Sequence, residues 1–203
     1  MARNTLSAHG FDSHWRAVLL ITAALTLVRL VALFATPLEL YPDEAQYWLW
    51  SRTLDWGYYS KPPMVAWQIW ATTAIGGDAE PWVRLASPLL HAATTMCVYG
   101  IGRRLYGPAA GFAAAALYIL MPAVQLSSLV AATDSSLLLF LALSLLAYVE
   151  LPAAEGRRRL WLAAGFGAAT GLAFLAKYAA VYALIGLALH LVISRQARTV
   201  WSL

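Results

Sequence analysis

Six apolar runs, separated by short polar breaks, set the pattern of the chain: residues 16–36, 84–101, 107–123, 135–151, 160–176 and 179–193. A helix that crosses a bilayer without tilt needs roughly 20 such residues, so several of these runs stand at the lower limit. The fifth and sixth follow one another with no Gly or Pro turn between them. The pattern predicts about six membrane-spanning helices and an all-α fold. Between the first two runs lies a long connection, residues 37–83, and long ordered connections are usually functional. It holds two short apolar stretches, "EAQYWLWSRTL" and "MVAWQIWATTAI", joined by "DWGYYSKPP". Neither is long enough to span, and their Trp and Tyr residues suit the headgroup region. The expectation is two short helices lying along the membrane surface. No internal repeat or low-complexity linker is visible.

Composition agrees with this pattern. Of 203 residues, 61% are hydrophobic and 12% charged, about half the charge of a soluble domain. Such a chain has too much apolar surface to stay disordered. Its net charge of +4 is not gathered into one stripe or helix face, as nucleic-acid binding would require. The basic residues instead punctuate the apolar runs. Arg3, Arg16, Arg103, Arg104, Arg157, Arg158, Arg159, Arg195 and Arg198 fall on one side, and Arg52, Lys61 and Arg84 on the other. The excess of Lys and Arg on cytoplasmic loops then puts the N-terminus inside and residues 37–83 outside. The single cysteine, Cys97, can form no internal disulfide. The first run is long enough to span and is not closed by an A-x-A-like cleavage site. These features describe a multi-pass protein of the cell (plasma or inner) membrane.

The candidate chemistry gathers in the outer connections. Asp43 follows a proline and has Gln46 three residues on, which reads as a capping box in which Asp43 accepts a backbone N–H. Capping does not account for Glu44 beside it, and a carboxylate held at a membrane interface is a functional candidate by default. Lys61, in "GYYSKPP", is a point charge suited to a phosphate; its alternative is an interfacial lysine snorkelling to headgroups. Arg84, at the outer start of the second run, carries the same two readings. Asp134, in "TDSS", could cap the helix of the fourth run. Arg29 lies well inside the first run and Lys177 near the outer tip of the fifth. A buried cation costs at least about 2.5 kcal/mol in a bilayer, so both are expected to face a polar interior. His9, His14, His91 and His190 are scattered, and no Cys/His spacing suggests zinc.

Read together, "YPDEAQYWLWSRTLDWGYYSKPPMVAWQIW", "VRLASPLL", "TDSSLLLF" and "GLAFLAKYAAVYAL" resemble the N-terminal half of family 39-type glycosyltransferases. These include the protein O-mannosyltransferases and, more distantly, the aminoarabinose transferase of lipid A. The resemblance implies a GT-C fold, a multi-helix transmembrane bundle with its active site in the first outer loop. It implies transfer of a sugar from a polyprenyl-phosphate donor to a hydroxyl of a lipid, glycan or protein acceptor, with inversion. Asp43 and Glu44 would be the catalytic pair, Asp43 the base and Glu44 its positioning neighbour. Lys61, with Arg84 and Lys177, would bind the donor phosphate, and Asp134 would be the second-loop acid. No cofactor or metal is implied, although a divalent cation would be compatible, and no nucleic acid. The chain departs from the aminoarabinose transferase at Gln46, where that enzyme has an arginine. Family members continue through several more helices, so residues 1–203 are expected to be the N-terminal part of the domain, with the C-terminal part missing. The alternatives are a non-catalytic transporter or lipid-handling subunit, whose polar residues would gather near the membrane midplane, or an inactive remnant.

Overall fold

The computed structural model describes residues 13–194, and every regular element among them is a helix. Arg3, Arg195 and Arg198, used above for orientation, and His9 lie outside the described residues.

Helix α1 (Ser13–Ala35) buries Val18, Thr22, Thr26, Arg29 and Leu33, one stripe at spacings of three and four. Leu20, Leu27, Val28 and Val31 point outward. A helix of a water-soluble protein does the opposite, turning its apolar stripe inward. Polar groups inside and leucines outside are what a lipid solvent selects, because ionisable side chains in a bilayer face the protein interior. Among the described residues, three helical segments are long and apolar enough to cross a membrane: α1, Thr133–Ala153 and Gly156–Ala176. Pro108–Leu120 and Tyr178–Ile193 are shorter apolar segments. The chain is an integral membrane protein.

The other elements are α2 (Pro42–Ser51), α3 (Met64–Gly76), α4 (Glu80–Arg84), α5 (Ala86–Tyr106), α6 (Pro108–Leu120), α7 (Pro122–Ser127), α8 (Thr133–Glu150), α9 (Gly156–Ala176) and α10 (Val181–Ile193). Two sequence expectations are adjusted, and the break between the fifth and sixth runs takes a form that the sequence did not signal. The second run extends past Ile101, because Arg103 and Arg104 continue α5 and Arg104 pairs with Glu150 at 3.3 Å. The third run breaks before Pro122, where Met121 turns extended (ψ 130°); proline lacks the N–H that would continue the ladder. The fifth and sixth separate without Gly or Pro, at Lys177, whose backbone is fully extended (φ −160°, ψ 136°).

Two hairpins build the bundle. Helices α5 and α6 turn at Gly107 (φ +94°) and cross closely: a Cβ on Gly111 would lie 2.7 Å from the Tyr99 carbonyl. Helices α8 and α9 turn through Gly156 (φ +52°). The hairpins leave Arg104 and Arg158 sharing Glu150 at one end. At the other end α2, α3 and α4 pack around Tyr47, Val65, Ile69, Val83 and Ala131. Met64 of α3 continues that core onto Leu137, Ala173, Ala176 and Ala180, and Ser136 donates to Gln68 at 2.8 Å. Helix α3 is thus seated on the tips of α8 and α9.

Arg29 is buried, as its position required. Its Nη2 donates at 2.8 Å to the Ile119 carbonyl, and Nε and Nη2 reach Gln125. Ile119 sits in the last turn of α6, where carbonyls have lost their helical partners and a cation is favoured by the dipole. Beside it, fully buried His91 bridges Tyr118 (2.8 Å) and Ser127 (3.0 Å). These bonds fasten the chain between α6 and α8 from the bundle side.

Candidate functional site

The site at the α2–α4 end of the bundle is organised around Glu44 rather than Asp43. Helix α2 begins two residues earlier than a capping role for Asp43 requires: Tyr41 is the N-cap, Pro42 is at N1, Asp43 at N2 and Glu44 at N3. Proline at N1 is favourable because its φ is already helical and its missing N–H is not needed there. Glu44 therefore takes the N3 place of a capping box, and its Oε2 accepts the Tyr41 N–H at 3.0 Å. Capping by Asp43 is corrected accordingly. The same register holds at α8, where Ala132 is the N-cap and Asp134 stands at N2. Neither aspartate spends its carboxylate on a cap.

Glu44 is buried and saturated. Its Oε1 accepts Arg84 Nε at 2.9 Å and the Ala131 N–H at 2.7 Å; its Oε2 accepts Arg84 Nη2 at 2.8 Å besides Tyr41. Burial pushes the Glu44 carboxyl up, but the Arg84 bond and the two backbone N–H groups outweigh it and hold it below the ordinary carboxylate value. Arg84 also donates to the carbonyls of Leu38 (3.0 Å) and Glu39 (2.8 Å). One buried ion pair thus joins the entrance of α2, the end of α4 and the strand of chain leading into α8. Ser87 adds a bond to the Val130 carbonyl at 2.6 Å. The geometry commits Arg84, expected near a phosphate, to this knot.

With Glu44 turned inward, Asp43 next to it is turned outward and exposed. One turn on, Tyr47 is buried, and its phenol is pushed up by burial, then by the charges of Asp43 and Asp134, then by a hydrogen bond to Asp43. Tyr47 therefore lies within electrostatic reach of both aspartates, bringing the N-termini of α2 and α8 together. Asp134 pairs with Lys177 at 2.7 Å, both partly exposed. Lys61 is half-buried. Its carbonyl accepts the Tyr58 N–H at 3.0 Å, while no described residue pairs with its ammonium. Among the described residues no three His, Cys, Asp or Glu side chains converge to hold a metal ion.

The fold brings Asp43, Glu44, Arg84 and Asp134 with Lys177 to one end of the bundle. Two participants escaped the sequence reading. Tyr47 was detectable, being four residues from Asp43 on the same helix face. The Ala131 N–H, 87 residues from Glu44, left no signal, since any residue carries a backbone donor.

Comparison with known proteins adds a second line. A family model described as dolichyl-phosphate-mannose-protein mannosyltransferase matches residues 60–202. That stretch contains Lys61, Arg84, Asp134 and Lys177 and begins after Asp43 and Glu44. The lipid A galacturonosyltransferase RgtD of Rhizobium johnstonii is 44% identical over 184 residues, which is 90% of this chain and 38% of that protein. The chain therefore spans little over a third of that relative's length. No solved structure matches it.

Proposed function

Because the chain belongs to the dolichyl-phosphate-mannose-protein mannosyltransferase family, we propose that its outer helices carry the base side of a lipid-linked glycosyl transfer. The donor is a sugar on a polyprenyl phosphate, and the acceptor presents a hydroxyl at the outer membrane face. Asp43 takes the proton of that hydroxyl while its oxygen attacks the anomeric carbon from the side opposite the phosphate. The bond from anomeric carbon to phosphate oxygen breaks, the lipid phosphate leaves with the electron pair, and the configuration inverts. Negative charge grows on the leaving oxygens, where a preorganised cation is most effective. Lys61, whose ammonium pairs with no described residue, serves that purpose, and Lys177 can exchange Asp134 for phosphate. Arg84 acts indirectly, by keeping Glu44 turned inward and Asp43 outward. The relative's name suggests galacturonate as the sugar and a lipid A-type glycolipid as the acceptor. The topology that fits has the N-terminus inside, the charged end of α2, α4 and α8 outside, and α2 and α3 along the surface.

The observation that carries this reading is the division of labour in the acidic pair. Glu44 is consumed by structure, and Asp43 beside it is left exposed at the meeting point of two helix N-termini. The test is sugar transfer from a polyprenyl-phosphate donor by the full-length protein. Asp43→Asn keeps the side chain's shape without a basic carboxylate, so transfer should fall by about 10²–10⁴-fold with folding intact. Lys61→Ala should raise the donor KM. Near-normal transfer by Asp43→Asn would end the proposal.

A further inference from the structure

The connector between α2 and α3 holds an aromatic cleft that the transfer chemistry leaves unused. Leu54, Asp55, Trp56 and Trp67 line an open surface cleft of about 240 Å³. That is below the roughly 300–1,000 Å³ of pockets for drug-sized ligands, and suits one ring better than a chain. The Trp56 and Trp67 rings meet at 84°, with centroids 5.2 Å apart. Asp55 holds both. Its carbonyl accepts the Trp67 indole N–H at 3.0 Å, and its Oδ1 accepts the Trp56 backbone N–H at 2.6 Å. Behind the cleft, Tyr58 stacks on Trp50 at 4.9 Å and 7°, donates to the Thr53 carbonyl and accepts the Asp55 N–H. The rings are therefore fixed by their own connector, yet Trp56 is left 78% exposed.

Tryptophans at a membrane interface often serve as anchors, with the ring in the acyl boundary and the indole N–H toward headgroups. Two features oppose that use here. The Trp67 N–H is already spent on the chain, and a carboxylate beside the rings repels lipid phosphates. The same two features favour a polyol. A sugar ring offers a C–H face to the aromatic surface and hydroxyl donors to the second oxygen of Asp55, which accepts no hydrogen bond from any described residue.

We propose that Asp55, Trp56 and Trp67 form a subsite for a neutral saccharide ring, that of the acceptor. Assignment to the acceptor rests on the transfer reading above: an acidic donor sugar on a phosphate would bring negative charge against Asp55. Saccharide binding itself does not depend on that reading.

The test uses full-length protein in lipid nanodiscs and two probes, methyl N-acetylglucosaminide and methyl galacturonide. Binding is followed by saturation-transfer NMR with the aromatic protons irradiated. The neutral glycoside should receive saturation on its ring protons, and the galacturonide little. Trp56→Ala should weaken neutral-probe binding roughly two- to tenfold, the worth of one aromatic contact, and Trp56→Phe should restore part of it. Asp55→Asn should admit the galacturonide. The exposed Trp56 can be truncated without opening the core, and an unchanged melting temperature would verify this. In transfer assays Trp56→Ala should raise the acceptor KM and leave the donor KM unchanged. Undiminished binding in Trp56→Ala, or equal binding of both probes by the native protein, would overturn the subsite. A rise confined to the donor KM would overturn its assignment to the acceptor. Asp43→Asn should bind the neutral probe normally, so failure of the catalytic reading and failure of this one are separable.

Discussion

Replacing Arg84 with methionine leaves the Glu44 carboxylate with two backbone N–H groups and no cation. Both side chains of the pair are almost inaccessible, at 2% for Arg84 and 3% for Glu44, so water cannot take over. Removing one partner of such a pair costs about 3–5 kcal/mol, chiefly because the other charge stays buried. For a domain of this size each kcal/mol moves the melting temperature by about 2–4 °C, giving a drop of roughly 6–20 °C at neutral pH. The sign of the pH dependence sharpens the test. Native Glu44 has a lowered folded value, so its stabilisation is complete above the ordinary carboxyl value of 4.5 and is lost as pH falls through the folded value. In Arg84→Met burial acts without its main opponent and should push the folded carboxyl up. Such a group contributes fully below the ordinary value and loses its contribution as pH rises through the raised one. The gap between native and variant should therefore be widest at neutral pH and narrow in acid. The assay is thermal unfolding in mild detergent, followed by tryptophan fluorescence at pH 7 and pH 4. A drop below about 2 °C at pH 7, or a gap that widens in acid, would refute the knot as the main fastening of the α2–α4 connection.

Gly111→Ala should destabilise by about 1–3 kcal/mol, because its Cβ would meet the backbone of α5 at Tyr99 and Arg103. Gly165→Ala, with open space around it, should not destabilise; equal melting temperatures for the two variants would contradict the close α5–α6 crossing. In a Cys97→Ser background, an impermeant thiol reagent on cells with a permeabilised outer envelope should label Tyr59→Cys and spare Arg158→Cys. The reverse pattern would invert the proposed orientation.

Much of this architecture was written in local patterns. Hydropathy sums over neighbouring residues, so long runs such as 16–36 declare a lipid environment whatever they pack against. The placement of arginines between runs predicts a direction from equally local information. The stretch 37–83 stood out because a polar, aromatic connection of that length has no role in a minimal bundle. Arg29 could be assigned to an interior from the cost of a cation in lipid alone, although its partners Ile119 and Gln125 could not. What the sequence left open was phase and distant partnership. Successive residues on a helix point about 100° apart, so starting α2 at Pro42 instead of two residues later decides which acid is buried and which is free. That start follows from Pro42 at N1 and Glu44 at N3, a weak local signal masked by Tyr41, which is no ordinary cap. The choice between the two acids is then enforced by Arg84, 40 residues away, and by the Ala131 N–H, 87 residues away. A guanidinium reads the same in any sequence whether it awaits a phosphate or is locked in a buried pair. Only the fold, by removing water from around Arg84 and Glu44 and leaving it around Asp43, makes them different groups.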